Sequence, residues 1–137
     1  MTPEDAIGNI LAAACSWAEN AQEGMARQVS AETTDEQCAA IAADSGEFLE
    51  TVLELRNYDR AVKNPMGEAE LDCLLVMATS WAENTEEGFP SRIKADMTDE
   101  ECRQIADMDE VGDADEVMFV RDLWQSIDLM LQHQMKA

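Results

Sequence analysis

Ser16-Trp17-Ala18-Glu19-Asn20 recurs 64 positions later as Ser80-Trp81-Ala82-Glu83-Asn84, and Thr34-Asp35-Glu36-Gln37-Cys38 recurs at the same offset as Thr98-Asp99-Glu100-Glu101-Cys102. Glu23-Gly24 and Ile41-Ala42 return as Glu87-Gly88 and Ile105-Ala106. Aligned without gaps, residues 4–45 and 68–109 are identical at 17 of 42 positions. A period of this length marks a repeated supersecondary unit, so the chain reads as two copies of one unit.

Each copy reads as three helices. Apolar residues Ile7, Ile10, Leu11, Ala14, Trp17, Ala18, Ala21 and Met25 follow the three-and-four spacing of an amphipathic helix. Thr2, Pro3 and Asp5 open it as cap, first helical residue and capping-box partner. The second copy repeats the stripe as Leu71, Leu74, Leu75, Ala78, Trp81 and Ala82, with Gly88 and Pro90 as a stop. Thr34-Asp35-Glu36-Gln37 and Thr98-Asp99-Glu100-Glu101 are capping boxes that start the second helices. Cys38, Ile41 and Ala42 face inward there, as do Cys102, Ile105 and Ala106. Third helices are expected from about Glu47 to Val62 and from about Ala114 to Gln134, after breaks at Ser45-Gly46 and Val111-Gly112-Asp113.

Phe48, Leu49, Val52 and Leu53 share their spacing with Phe119, Val120, Leu123 and Trp124, 71 positions on. This predicts an acidic insertion of about seven residues in the second copy, near 107–116. The expected organisation is a first repeat over 1–63, a short linker over 64–67 (Asn64-Pro65-Met66-Gly67) and a second repeat over 68–137. The linker is too short to hold two independent domains apart. The expected fold class is all-α: an internally duplicated three-helix unit packed as a six-helix, bundle-like domain.

The charge narrows the function. Thirty Asp and Glu against nine Lys and Arg leave a net charge of −21 and a pI near 4.1. With 46% apolar residues the chain has the composition of a folded protein, not a disordered one. Direct binding to nucleic acid is disfavoured, because phosphates are met by Lys and Arg. An anionic membrane surface is disfavoured for the same reason. The electrostatic complement is a basic protein surface. An acidic proteome, in which charge serves solubility only, is the plain alternative.

No apolar run reaches the length of a membrane span. Met1-Thr2-Pro3-Glu4-Asp5 lacks the basic region of a signal peptide, which points to the cytoplasm. Cys15, Cys38, Cys73 and Cys102 are widely spaced, and reduced thiols are the expectation.

Reaction chemistry finds little support. The single histidine, His133, lies near the end of a helix, away from any nucleophile-and-base pattern. No glycine-rich loop follows a strand. The many carboxylates fall on polar helix faces, where nothing raises a pKa for acid catalysis. Asp107 to Asp115 starts like a calcium loop, but Val111 and Met118 occupy two ligand positions of that pattern. No Glu-x-x-His pair suggests a di-iron site. The expectation is a binding protein without catalytic, metal or cofactor residues.

Candidate contact residues are the matched acids Glu19, Glu23, Glu83 and Glu87. To these come Asp96, Asp99 and Glu100, which match Glu32, Asp35 and Glu36 of the first copy, and the second copy adds Glu86, Glu101, Asp107, Asp109, Glu110, Asp113, Asp115 and Glu116. Carboxylates mounted in rows on helices imitate a phosphate backbone, and rigid charges lose little entropy on binding. Trp17 and Trp81, with Cys38 and Cys102, are read as structural anchors of the two copies.

In size, charge and helicity the chain resembles the small acidic inhibitors, many of them encoded by phages, that block restriction or CRISPR complexes by mimicking nucleic acid. That resemblance implies an inhibitor or regulator in the basic groove of a DNA- or RNA-handling protein. Two other readings stay open: an acidic adaptor or immunity-type protein that neutralises a basic partner, and a self-assembling repeat protein, a homodimer for instance.

Overall fold

A computed structural model describes residues 1–23, 25, 27–87, 92–108 and 113–136, the side chains of 86, 135 and 136 excepted. They form six helices: α1 (Pro3–Gln22), α2 (Asp35–Ser45), α3 (Leu49–Val62), α4 (Glu68–Glu86), α5 (Asp99–Met108) and α6 (Ala114–Lys136). The described residues contain no strand, so the fold is all-α. No helix among them is long and apolar enough to cross a membrane.

The capping residues act as the sequence predicts. Thr2 Oγ1 accepts the Asp5 N–H at 3.1 Å, and the Asp5 carboxylate accepts the Thr2 N–H at 3.3 Å. Thr34 and Gln37 form the same reciprocal pair at the head of α2 (3.1 and 2.9 Å), as do Thr98 and Glu101 at the head of α5 (3.1 and 2.9 Å). Each pair satisfies backbone donors that a helix start leaves without partners. Gly46 ends α2 with φ +72°, a left-handed conformation that glycine adopts without steric cost. Glu47 lies outside α3, whose N-cap is Phe48.

The chain divides into two compact units, one of residues 14–77 and one of residues 1–13 with 78–137. The divisions fall inside α1 and α4, and the expected linker at 64–67 lies within the first unit. In unit 14–77, Ala18, Val29, Cys38, Ile41, Ala42, Val52 and Leu55 form a buried cluster, with Trp17 and Tyr58 packed partly exposed against it. In the other unit the cluster is Ile93, Cys102, Ile105, Ala106, Val117 and Val120, flanked by Trp81 and Trp124. Cys38 and Cys102 are fully buried, and all four cysteines are free thiols. Trp17 and Trp81 anchor their clusters from the edge. Trp81 meets Phe119 edge-to-face, with ring centroids 5.5 Å apart.

Burial in the third helices fits the expected register in part, since Val52 and Leu123 are both fully buried and Leu53 and Trp124 are both partly buried. The pair Leu49 and Val120 differs, Leu49 being 43% exposed and Val120 fully buried. Val52 and Leu55 correspond in burial to Val117 and Val120, and Leu49 and Ala114 begin their helices, all 65 positions apart. An offset of 65 therefore fits the burial of these residues as well as the expected offset does. Of the expected acidic insertion, residues 109–112 lie outside the described residues.

Candidate acidic interface

The acidic helix starts are held by arginines that reach back from the following helix. On α3, Arg56 places Nη1 against the Thr33 carbonyl (3.4 Å) and the Asp35 carboxylate, while Nε donates to Asn57 Oδ1. One turn on, Arg60 Nε donates to the Ala31 carbonyl at 2.9 Å, and Asp59 accepts the Ala31 N–H at 2.8 Å. Lys63 pairs with Glu32 at 3.4 Å.

On α6, Arg121 makes corresponding contacts. Its Nη1 donates to the Met97 carbonyl (3.3 Å) and to Asp99 (2.6 Å), while Nε and Nη2 hold Asp122. One turn on, Gln125 Nε2 donates to the Ala95 carbonyl at 2.7 Å. The Arg56 and Arg121 side chains are only 10% and 12% exposed. Their guanidinium forks satisfy loop carbonyls that no helix bond reaches.

These pairs shape the titration of the surface. Hydrogen bonding and charge from Arg121 hold the Asp99 carboxyl below its ordinary range, and Arg56 does the same for Asp35. The capping bonds from Thr98 lower Glu101, and a backbone hydrogen bond, then Lys63, lowers Glu32. Glu54 moves up, first through partial burial and then through the neighbouring charge of Glu50.

Most of the predicted contact acids stand in solvent. Glu19, Glu23, Glu83, Glu87, Asp96, Asp99, Glu100, Glu101, Asp107, Asp113, Asp115 and Glu116 are all exposed. The side chain of Glu86, and Asp109 and Glu110 altogether, lie outside the described residues. Three of the exposed acids also hold the fold. Asp99 pairs with Arg121, Glu101 completes the Thr98 cap, and Asp113 caps α6 by accepting the Asp115 N–H at 3.0 Å. Asp96, Glu100, Asp107, Asp115 and Glu116 stand in solvent in the same stretch of sequence, and exposed Lys94 and Arg103 fall among them.

The described residues offer no group of acids, cysteines and histidine arranged to hold a metal ion. A cavity of about 280 Å³ in unit 14–77 is lined by Asn57, Arg60, Ala69, Glu70 and Cys73. Burial, and then Glu54, push the Cys73 thiol up, which keeps it protonated and a poor nucleophile. His133 is exposed on α6.

Sequence reasoning passed over Arg56 and Arg121, although their recurrence 65 positions apart was visible. Phe48, which shares its spacing with Phe119, stands in solvent. Compared with protein-family models, with curated proteins and with solved structures, the chain matches none.

Proposed function

We propose that this protein is a binding protein, not an enzyme, whose carboxylates imitate the charge of a nucleic acid. It would occupy the basic groove of a DNA- or RNA-handling protein in the cytoplasm, as an inhibitor of the anti-restriction or anti-CRISPR type. The observation that carries the reading is the sorting of charge. Arg56 and Arg121 turn inward to hold loop carbonyls, whereas the acids between 96 and 116 that are described stand in solvent. Two of the nine basic side chains are thereby nearly buried. A negative field speeds encounter with a basic groove and weakens steeply with salt.

Related contacts of Arg56 and Arg121 also favour an origin by duplication of one three-helix unit. Two related units would present related acidic edges, a repetition suited to a repeating phosphate backbone.

The test is capture from a bacterial lysate at low salt, followed by challenge with duplex DNA or with RNA. A nucleic-acid-binding protein released by either competitor supports mimicry. A basic partner released by salt but indifferent to both competitors replaces mimicry with the adaptor reading. Reversing Asp96, Glu100, Asp107 and Asp115 to Lys leaves the Thr98 and Asp113 caps and the Arg121 contacts in place. It should abolish capture while the far-ultraviolet circular dichroism stays unchanged.

A further inference from the structure

α1 has 20 residues and α4 has 19, about twice the 11 of α2 and the 10 of α5. Each long helix opens its copy and serves both units. The divisions at 13–14 and 77–78 cut them in mid-course and stand 64 positions apart, the offset of the repeat. Residues 1–13, the head of the first copy, therefore fold with 78–137 of the second. Residues 68–77, the head of the second copy, fold with 14–63 of the first. The exchange is reciprocal.

Side chains carry the exchange in both units. The two heads bury the same positions: Ile7, Ile10 and Ala13 in one, Leu71, Leu74 and Met77 in the other. Asn9 Nδ2 donates to Ser126 Oγ at 3.0 Å, and Ser126, fully buried on α6, donates to the Asp122 carbonyl at 2.7 Å. Ala6 and Ala13 share the Asn9 face and are buried as well. Cys73 holds the place of Asn9 in the second head. It lines its cavity with Asn57 and Arg60 of α3, which stand 65 positions before Asp122 and Gln125, the spacing of Arg56 and Arg121. Ala61 stands 65 positions before Ser126 and is likewise fully buried. A helix cannot double back, so each head, roughly 15 Å long, carries its apolar stripe away from the half that follows it.

We infer that the two copies hold each other by exchanged half-helices, so that the link at 64–67 is not needed to keep them together. Each copy offers a seat on α3 or α6 to the head of the other, and neither copy is complete without it. Burial of apolar surface drives such association, and the two seats reinforce each other, since the second closes within an already joined pair. The inference makes no use of the proposed function.

The test cuts the full chain. A protease recognition sequence inserted between Pro65 and Met66 leaves the Gly67 carbonyl to accept the Leu71 N–H at 2.7 Å. After complete cleavage the fragments should co-elute in size exclusion at physiological salt, sediment with the mass of the uncut chain and keep its circular dichroism. Fragments that separate without denaturant would overturn the inference. A second measurement distinguishes exchange from another kind of adhesion. Asn9→Cys with Ser126→Cys is compared with Asn9→Cys with Ala61→Cys, each oxidised with diamide after the cut and mapped by peptide mass. A bridge between positions 9 and 126, which ties the two fragments together, is expected. A bridge between positions 9 and 61, inside one fragment, returns the head to its own copy and sinks the exchange.

Discussion

Arg121 offers the sharpest test of how the acidic surface is held. Its side chain is 12% exposed and donates to the Met97 carbonyl at 3.3 Å, to Asp99 at 2.6 Å and to Asp122 at 2.9 Å. Arg121→Met keeps the aliphatic stem against its neighbours and deletes the guanidinium. Asp99 and Asp122 are 61% and 39% exposed and rehydrate when released, so little of the loss comes from them. The Met97 carbonyl loses a charged donor, a bond type worth about 1.5–3 kcal/mol. The expected destabilisation is therefore about 2 kcal/mol, read as a lower urea midpoint at constant slope in circular dichroism. Arg121→Lys is the control for charge, since it keeps the cation and loses the planar fork. The reasoning fails if Arg121→Met costs less than about 0.5 kcal/mol, the usual scale of a surface substitution. It also fails if Arg121→Lys is as stable as the wild type.

Thr34→Ala and Thr98→Ala each remove the acceptor of a capping box, at about 1 kcal/mol apiece. The two losses should add in urea denaturation, because the caps stand in separate units. Stability should respond to pH in two opposed ways. Asp35, Asp99, Glu32 and Glu101 have folded-state pKa values below their ordinary ones. Their contribution is complete above the ordinary carboxylate range and disappears as pH falls through the lowered values. Glu54 is raised, so its unfavourable ionisation is relieved as pH falls, and the repulsion of 30 acids relaxes along with it. The melting temperature should rise from neutral pH to about pH 5 and fall at more acid pH. A steady decline from neutral pH downward in a thermal series would refute the role of repulsion.

The helices were legible because their starts carry local chemistry. Thr34 and Thr98 need only residues three positions away to form their boxes, and both form. The burial of Ile10, Leu74, Cys38 and Cys102 follows from helical spacing in the same local way. The third-helix register is weakly specified by the sequence because an apolar pattern of i, i+1, i+4, i+5 fits an amphipathic helix at more than one shift. Phe48-Leu49-Val52-Leu53 fits it while leaving Phe48 in solvent. The residues that tie each third helix to the loop before α2 or α5 are polar. Arg56 and Arg121 find their carbonyls 23 and 24 positions away, a relation that hydrophobic periodicity does not encode. Nor does any residue mark the division of the units at 13–14 and 77–78, because both points lie in the interior of helices that continue unbroken. Exposure of the described candidate acids was legible from polar helix faces. The split between acids that cap or pair, such as Asp99, Glu101 and Asp113, and acids that only face water needed coordinates.

This split bears on how so acidic a chain keeps a fold at all. Like charges at helix starts are the least harmful placement, since the dipole favours them there. α2 opens with Asp35 and Glu36, α5 with Asp99, Glu100 and Glu101, and α6 with Asp115 and Glu116. Two of these starts are then tied from behind by a nearly buried arginine that also satisfies loop carbonyls. A few basic side chains thereby brace many acids without standing among them at the surface. Moving Arg56 or Arg121 outward would blunt the negative field and orphan a carbonyl in one step. Stability and surface charge are thus joined at the same two residues, and a variant that weakens the proposed partner contact there weakens the fold with it. Binding is better dissected at Glu100, Asp107 and Asp115, where charge can be reversed while both arginines keep their acceptors.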